Sequence, residues 1–458
     1  MKRRVFLSVL PALGLLGACG MPEPPRRPHV LFLLTDDQRA DTIHALGNPQ
    51  IQTPNLDTLV ESGFVFTNAY CMGSNVPAVC SPSRNMLLSG RAYFRWEGRF
   101  APPEPANLAD SMRQLGYETY HHGKKGNTAE LIHKRFDHSR YVDDLADRTS
   151  GEPGKEIVDA AIGFLDSRTD PRPVFLYLAF ASPHDPRVAA ERFRAMYDPA
   201  QIPLPSNYMP VHPVDNGEMT VRDELLAPWP RPEEEIRRQL HDYYATITGL
   251  DFHIGRLLTH LKEKGLYDNT IIIFSSDQGL AIGSHGLMGK QNLYDHSMKA
   301  PLIFSGPGVA KGRSDDLLYL MDIYPTLIDF LGGTPPPGLD GISHALVLTG
   351  QPVRTRKSLF LSYRDGQRAI RDERYKLIVY PHNNTRQLFD LENDPAEINN
   401  LADNPDFALR IEAMLAAMGQ WQQQLGDTTP LTADKPADPR FRPPAGKALE
   451  ELRAKWKM

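Results

Sequence analysis

The sequence predicts an α/β protein with a large, mostly parallel sheet between helices and a smaller C-terminal antiparallel sheet with a packing helix. Three observations lead there. The runs "HVLFLLT", "PVFLYLAF" and "NTIIIFSS" are continuously apolar rather than alternating, as strands covered on both faces require. Each run ends in polar residues, Asp36-Asp37, Ser182-Pro183-His184 and Ser275-Ser276-Asp277-Gln278, at the end of an open parallel sheet where ligands bind. From about Lys357 the texture changes to short strand-like runs, "KSLFLSY", "QRAIRDERYKLIVY" and "RQLFDL", separated by turn residues.

Taken in order, the chain opens with a Lys2-Arg3-Arg4 head, an apolar run from Val5 to Gly17, and small residues before Cys19, the pattern of an export signal. Leu16-Gly17-Ala18-Cys19 resembles the lipobox of bacterial lipoproteins, in which the cysteine is acylated. Residues 1–19 are therefore expected as signal peptide and lipobox, and 20–28, rich in proline, as a tether. The apolar run is too short to span a bilayer. Export to the periplasm or the outer membrane and cell surface follows, with attachment through the N-terminal lipid only. A helix opened by Thr53-Pro54 and closed by Gly63 leads into the strand "FVFTNAY". "NLADSMRQLGYETYHHGKK" reads as helix, glycine stop and strand, and a long amphipathic helix from about Glu233 to Lys264 precedes the third apolar strand. Residues 29–350 form the expected main domain, and 351–426, with a helix from about Asp406 to Gln424, the C-terminal subdomain. The Pro- and charge-rich 427–458 reads as a loosely packed tail.

A net charge of −5 over 458 residues gives no general attraction to nucleic acid or anionic membrane. An anionic substrate has to be held by a local group of cations. Of three cysteines, loss or lipidation of Cys19 leaves Cys71 and Cys80, so one disulfide is the most the mature chain could form. The setting of Cys80 in "AVCSPSRNMLLSGR", at the start of a helix, points to another use.

Cys80-x-Pro82-x-Arg84 is accompanied, in fixed order, by Asp36-Asp37, Gly123-Lys124, Ser182-Pro183-His184, Asp277-Gln278 and Gly289-Lys290. With the closing "ERYKLIVY…QLFDLENDPAEINNLAD", this set resembles the type I, formylglycine-dependent sulfatases of the alkaline phosphatase superfamily. Bacterial secreted glycan sulfatases and iduronate-2-sulfatase-like enzymes are among them. The resemblance covers nearly all of the mature chain and implies an alkaline-phosphatase-like sandwich.

It further implies that Cys80 is oxidised to formylglycine by a formylglycine-generating or anaerobic sulfatase-maturing enzyme that reads "CSPSR". One hydroxyl of the hydrated aldehyde would attack the sulfur of a sulfate ester, and loss of a proton from the other would expel sulfate and restore the aldehyde. Asp36, Asp37, Asp277 and Gln278 offer only oxygen ligands, which suits Ca²⁺ or Mg²⁺ rather than zinc. By the same resemblance Arg84 anchors the diol, Lys124 and Lys290 hold the sulfate, and His184 stands near the leaving-group oxygen. The implied function is a sulfuric ester hydrolase acting on a sulfated glycan.

Two departures matter. The family commonly has a histidine two or three residues after the Gly-Lys lysine to assist proton removal, whereas this chain has Gly126 and Asn127 there. His121 or His122 is expected to substitute, since "YETYHHGKK" should carry one of them near the mouth of the site. Gln278 also replaces a commoner asparagine or histidine. Asp185, Arg187 and Arg364 are further candidates for touching sugar. Two lysines, one arginine and one metal suit a sulfate monoester without excluding a phosphodiester, so a phosphodiester or phosphonate monoester hydrolase is the nearest alternative. A non-catalytic glycan-binding lipoprotein is the other.

Overall fold

The computed structural model describes residues 27–96, 107–126 and 130–456. The expected signal peptide, lipobox Cys19 and most of the tether lie outside the described residues. The large sheet contains β1 (His29–Thr35), β2 (Phe64–Tyr70), β4 (Glu118–Lys124), β5 (His138–Val142), β6 (Val174–Ala179), β7 (Thr270–Ser276), β8 (Lys299–Ala300), β9 (Leu302–Ser305) and β10 (Gly312–Tyr319). Their order is β10-β2-β9-β7-β1-β6-β4-β5, with β8 on β2. β1 runs parallel to both β6 and β7, and the pairs involving β9 and β8 are antiparallel.

The continuous apolar runs are explained by two cores, one on each face. Side chains alternate along a strand, so Val30, Phe32 and Leu34 enter one core while Leu31 and Leu33 enter the other. The first core takes Met86, Leu87 and Leu88 of the Cys80–Ser89 helix and Ile323 and Leu327 of the Ile323–Phe330 helix. The second takes Ile157 and Val158 of the Lys155–Ser167 helix and Ile254 and Leu257 of the Glu233–Glu263 helix. Register then brings the polar ends together. Thr35 stands opposite Ser276 and Leu34 opposite Ala179, so the chain leaves three neighbouring strands side by side.

The smaller sheet is β14 (Thr385–Asp390), β13 (Tyr375–Tyr380), β12 (Gln367–Arg371) and β11 (Leu359–Tyr363), all antiparallel, as expected from 351–426. The sequence reading missed its fifth strand. β3, only Gly73–Ser74, joins β11 in parallel, with Gly73 opposite Ser362. Tyr363 also donates its hydroxyl to the Pro77 carbonyl at 3.1 Å, so the peptide leading to Cys80 is fastened to the C-terminal sheet.

Of the expected loose tail 427–458, the described part, 427–456, is packed against the body. Asp427 is buried against Arg368, with Nε–Oδ2 at 2.7 Å and side-chain exposures of 3% and 2%. The Ala437 and Asp215 amides bond to the His382 and Pro439 carbonyls at 2.9 and 2.8 Å, and Trp456 of the terminal helix Lys447–Trp456 donates to the Thr220 carbonyl at 3.3 Å. Proline-rich composition hid these backbone contacts. Removing one partner of a buried ion pair costs about 3–5 kcal/mol, because the other charge is left without compensation. Asp427→Ala should therefore lower the thermal unfolding midpoint and expose the 427–456 segment to limited proteolysis, whereas Asp438→Ala, in an exposed pair, should do neither.

Candidate active site

The Cys80 helix begins beneath the strand ends, and all its residues are buried, Cys80 itself being 4% exposed. Its Sγ lies 3.4 Å from Asp36 Oδ1, 3.8 Å from Asp37 Oδ1, and 3.0 Å from both Gln278 Nε2 and Lys290 Nζ. Donor oxygens of Asp36, Asp37 and Asp277 and the Cys80 sulfur fall within 4.8 Å of one another. The cluster foreseen after β1 and β7 is thus assembled around the cysteine.

Three cations balance the three carboxylates. Arg84 donates from Nε to Asp277 at 2.8 Å and from Nη2 to Asp36 at 2.9 Å. Lys124 reaches Asp36 at 2.7 Å, and Lys290 reaches both Asp37 oxygens at 2.7 Å. Asp37 adopts a left-handed backbone (φ 66°), a conformation that costs a non-glycine residue about 1–3 kcal/mol and persists only when its surroundings enforce it. Here the Asp37 amide donates to Asp277 Oδ1 at 3.0 Å, and the Tyr243 hydroxyl donates to the Asp37 carbonyl at 2.6 Å.

The charges set the protonation of the centre. Burial opposes ionisation of Asp36, but Lys124 and Arg84 hold it well below the usual carboxylate range. Burial and the adjacent Asp36 push Asp277 up. Burial, reinforced by Asp36, raises the Cys80 thiol well above its ordinary value, so the unaltered side chain is a neutral thiol and a poor nucleophile. Burial and the nearby Lys290 and Lys124 lower His184 to about 4.

Other expected residues are placed as follows. His184 Nε2 is 3.8 Å from Asp37 Oδ2, and its Nδ1 is 2.8 Å from Arg148 Nη1. Asp185 is clamped by Arg222 at 2.5 and 2.7 Å. Arg84 makes its bonds to Asp36, Asp277 and the Phe180 carbonyl rather than to the Cys80 sulfur, so it organises the carboxylates. Arg187 is turned inward, bonded to the Pro183 carbonyl and Gln239, with its guanidinium 5.3 Å over the Tyr243 ring. Arg364 is half-exposed and paired with Glu218. Cys71 is a free, buried thiol, as is Cys80.

The expectation for His121 and His122 is corrected. Both are buried in the body of β4, short of the strand end from which Lys124 reaches the site. His121 stacks on His133 at 3.9 Å and bonds Ser139 at 3.1 Å, while His122 faces Tyr120 on the opposite side. Among the described residues neither has a hydrogen bond to Cys80 or the three carboxylates. Strand parity was read correctly, but distance along the strand was not. Gly126 instead lies over the Cys80 helix, its carbonyl 3.4 Å from Ser81 Oγ.

Several functional neighbours were not foreseen. Asp223 pairs with Arg222 and accepts from Gln291 Nε2 at 2.9 Å. Glu224 accepts the Met288 and Gly289 amides at 3.0 and 2.9 Å and is buried with Arg231, fixing the turn that carries Lys290. Arg148 had no sequence signal at all.

Both Gly-Lys pairs have a steric reason. A Cβ at Gly123 would lie 2.2 Å from the Ala179 carbonyl oxygen of β6, and one at Gly289 would meet Asp223 Cβ at 2.8 Å and Gln291 Oε1 at 2.4 Å. Only glycine lets each lysine approach its carboxylate. Gly123→Ala and Gly289→Ala should each cut turnover about 10²-fold, since displacements near 1 Å cost that much at an active site. Circular dichroism should show the folded protein in both cases; normal turnover by either variant would refute this positioning role.

The family model described as Sulfatase matches residues 28–333, and that described as N-sulphoglucosamine sulphohydrolase, C-terminal, matches residues 283–424. The chain is 27% identical to an N-acetylglucosamine-6-O-sulfatase of Bacteroides thetaiotaomicron, over 94% of this chain and 93% of that one. It is 27% identical to an ulvan-active sulfatase of Formosa agariphila, over 88% and 83%. A solved structure in complex with its substrate D-glucosamine-2-N,6-O-disulfate shares the fold at TM-score 0.76, with 24% identity over 88% of this chain and 99% of that one. The phosphonate monoester hydrolase of Agrobacterium radiobacter shares it at TM-score 0.74, with 23% identity over 91% and 100%. With two thirds of its length matched by that first family model and the cysteine, acidic and lysine motifs converging on one buried centre, this chain belongs to the sulfatase family.

Proposed function

We propose that this protein hydrolyses a sulfate ester of a carbohydrate, with Cys80 converted to formylglycine and one divalent cation, Ca²⁺ or Mg²⁺, held by Asp36, Asp37, Asp277 and Gln278. The observation that carries the reading is the setting of Cys80 Sγ, in hydrogen-bond reach of Lys290 and Gln278 and beside Asp36 and Asp37. Sγ marks the place from which the hydroxyls of a hydrated aldehyde would project. The donor set suits a hard cation: three carboxylates, and a Gln278 amide whose Nε2 donates to Asp37 at 2.7 Å while its Oε1 is buried with no partner in the protein, so that exchanging the two by a turn of the amide would present an oxygen to the ion. Such an ion, when bound, supplies Lewis-acid polarisation of the nucleophile and of a sulfate oxygen.

The chain's own residues supply the rest. Lys290 and Lys124 offer ammonium donors to the charge that grows on the sulfate oxygens, and Arg84 keeps Asp36 and Asp277 in fixed orientation. His184 is the residue beside the centre suited to donate a hydrogen bond to the departing alcohol oxygen. With His121 and His122 set aside, His184, kept as a neutral imidazole by burial and the nearby lysines, is the group beside the centre left to accept the proton of the second hydroxyl once the alcohol has gone. Carbohydrate as the leaving group draws support from the named relatives. Export and lipidation at Cys19 belong to the same proposal and rest on the leader sequence; fatty-acid labelling that survives Cys19→Ala would overturn them.

A phosphodiesterase reading is kept open by the fold shared with phosphonate monoester hydrolases. Rates on an aryl sulfate and an aryl phosphodiester, followed by sulfate release from defined sulfated oligosaccharides, separate the two. Active enzyme should yield a Cys80 peptide with the mass of the aldehyde rather than the thiol, and Cys80→Ala should be folded but inactive. Finding only thiol in fully active enzyme rules the mechanism out. Chelation should abolish turnover, with recovery on adding back Ca²⁺ or Mg²⁺, and Asp277→Asn should bind less metal by elemental analysis.

A further inference from the structure

A cavity of about 430 Å³ lies apart from the catalytic centre, and none of the residues that hold Cys80 lines it. Its walls come from residues 39–41 after β1, the start of β2, a loop at 205–207, residues 295–301, and 395–397. That volume is within the range of small-molecule sites, roughly 300–1,000 Å³.

The charges in this wall are unequally committed. Asp41 is gripped by Arg39 through two bonds of 2.8 and 2.7 Å. Asp295 accepts from the Tyr70 hydroxyl at 2.8 Å and from Lys376 at 2.5 Å. Glu397 accepts the Asp295 amide at 2.7 Å and pairs with Lys376 at 2.6 Å. Every carboxylate facing the cavity therefore already has a partner. Lys299 and the exposed Arg313 line the same space, and among the described residues neither side chain has a hydrogen bond or an ion pair. Burial, with Arg371 and Lys376 nearby, lowers the proton affinity of Lys299, and the charges of Asp295 and Asp41 oppose this only in part. The remaining wall joins an apolar stretch, Leu46, Val65, Phe66, Ala300 and Pro301, to polar Thr67, Ser206, Asn207 and His296.

An ammonium without an ion-pair partner beside an apolar stretch, in a wall whose carboxylates are already paired, selects for a negative group carried on an apolar body. We propose that this cavity binds a small organic carboxylate, with Lys299 as its counter-charge, Arg313 assisting, and the ligand's body against the apolar wall. The site is independent of the sulfatase chemistry and does not depend on how Cys80 is modified.

The test uses benzoate as probe and the full-length protein. Ligand-observed NMR should give a saturable isotherm for benzoate, with Lys299→Arg close to the parent and Lys299→Gln weaker by at least about tenfold, the value of one charge-assisted bond. On the unsubstituted protein, benzoate should slow acetylation of Lys299 by a neutral activated ester, read by peptide mass, without slowing that of the exposed Lys447. No saturable binding, equal affinity in Lys299→Gln, or equal protection of Lys299 by inorganic sulfate would each overturn the proposal, the last by reducing the cavity to a simple ion site.

Discussion

Three carboxylates share one buried space at the end of the sheet, and that concentration of negative charge is the constraint around which the rest of the molecule is arranged. An unpaired buried carboxylate costs several kcal/mol, and three together repel one another as well. Arg84, Lys124 and Lys290 answer this from three different elements, and each comes with its own local requirement. Arg84 needs a helix that starts at Cys80, Lys124 needs a glycine where β4 meets β6, and Lys290 needs a turn held by Glu224.

The same electrostatic demand connects fold to chemistry. A neutral thiol beside carboxylates is a poor nucleophile, and both the conversion proposed for Cys80 and a cation shared by the acids would relieve that. The lysines fit this view. Each is hydrogen-bonded to a carboxylate of the centre, and Lys290 also reaches the Cys80 sulfur, so two cations on different elements are held at the same buried site.

Much of this was readable in the sequence because both signals are local. Apolar runs longer than one alternating face mark strands buried on both sides, and the polar residues that end them mark the rim of the sheet, so the sequence alone puts Asp36, Asp37, Asp277 and Gln278 there. What escaped has no local pattern. Arg148 sits in the short helix Asp144–Thr149, and Arg222, Asp223 and Glu224 in the 3-10 helix Arg222–Leu226, both too brief to display a period. The two residues of β3 are too few to register as a strand, and 427–456 docks through backbone groups that composition does not reveal. His121 and His122 misled because alternation tells which face a side chain takes but not how far along the strand the rim lies.

The pairing of Gly73–Ser74 with β11 also bears on when the setting of Cys80 is complete. The segment that leads into the Cys80 helix is tied to a strand beginning at Leu359, far downstream in the chain. During synthesis Cys80 therefore emerges long before the strand that fastens the start of its helix. The C-terminal sheet is in this sense a late fastening: a part of the chain made well after the cysteine finishes the frame in which the cysteine stands.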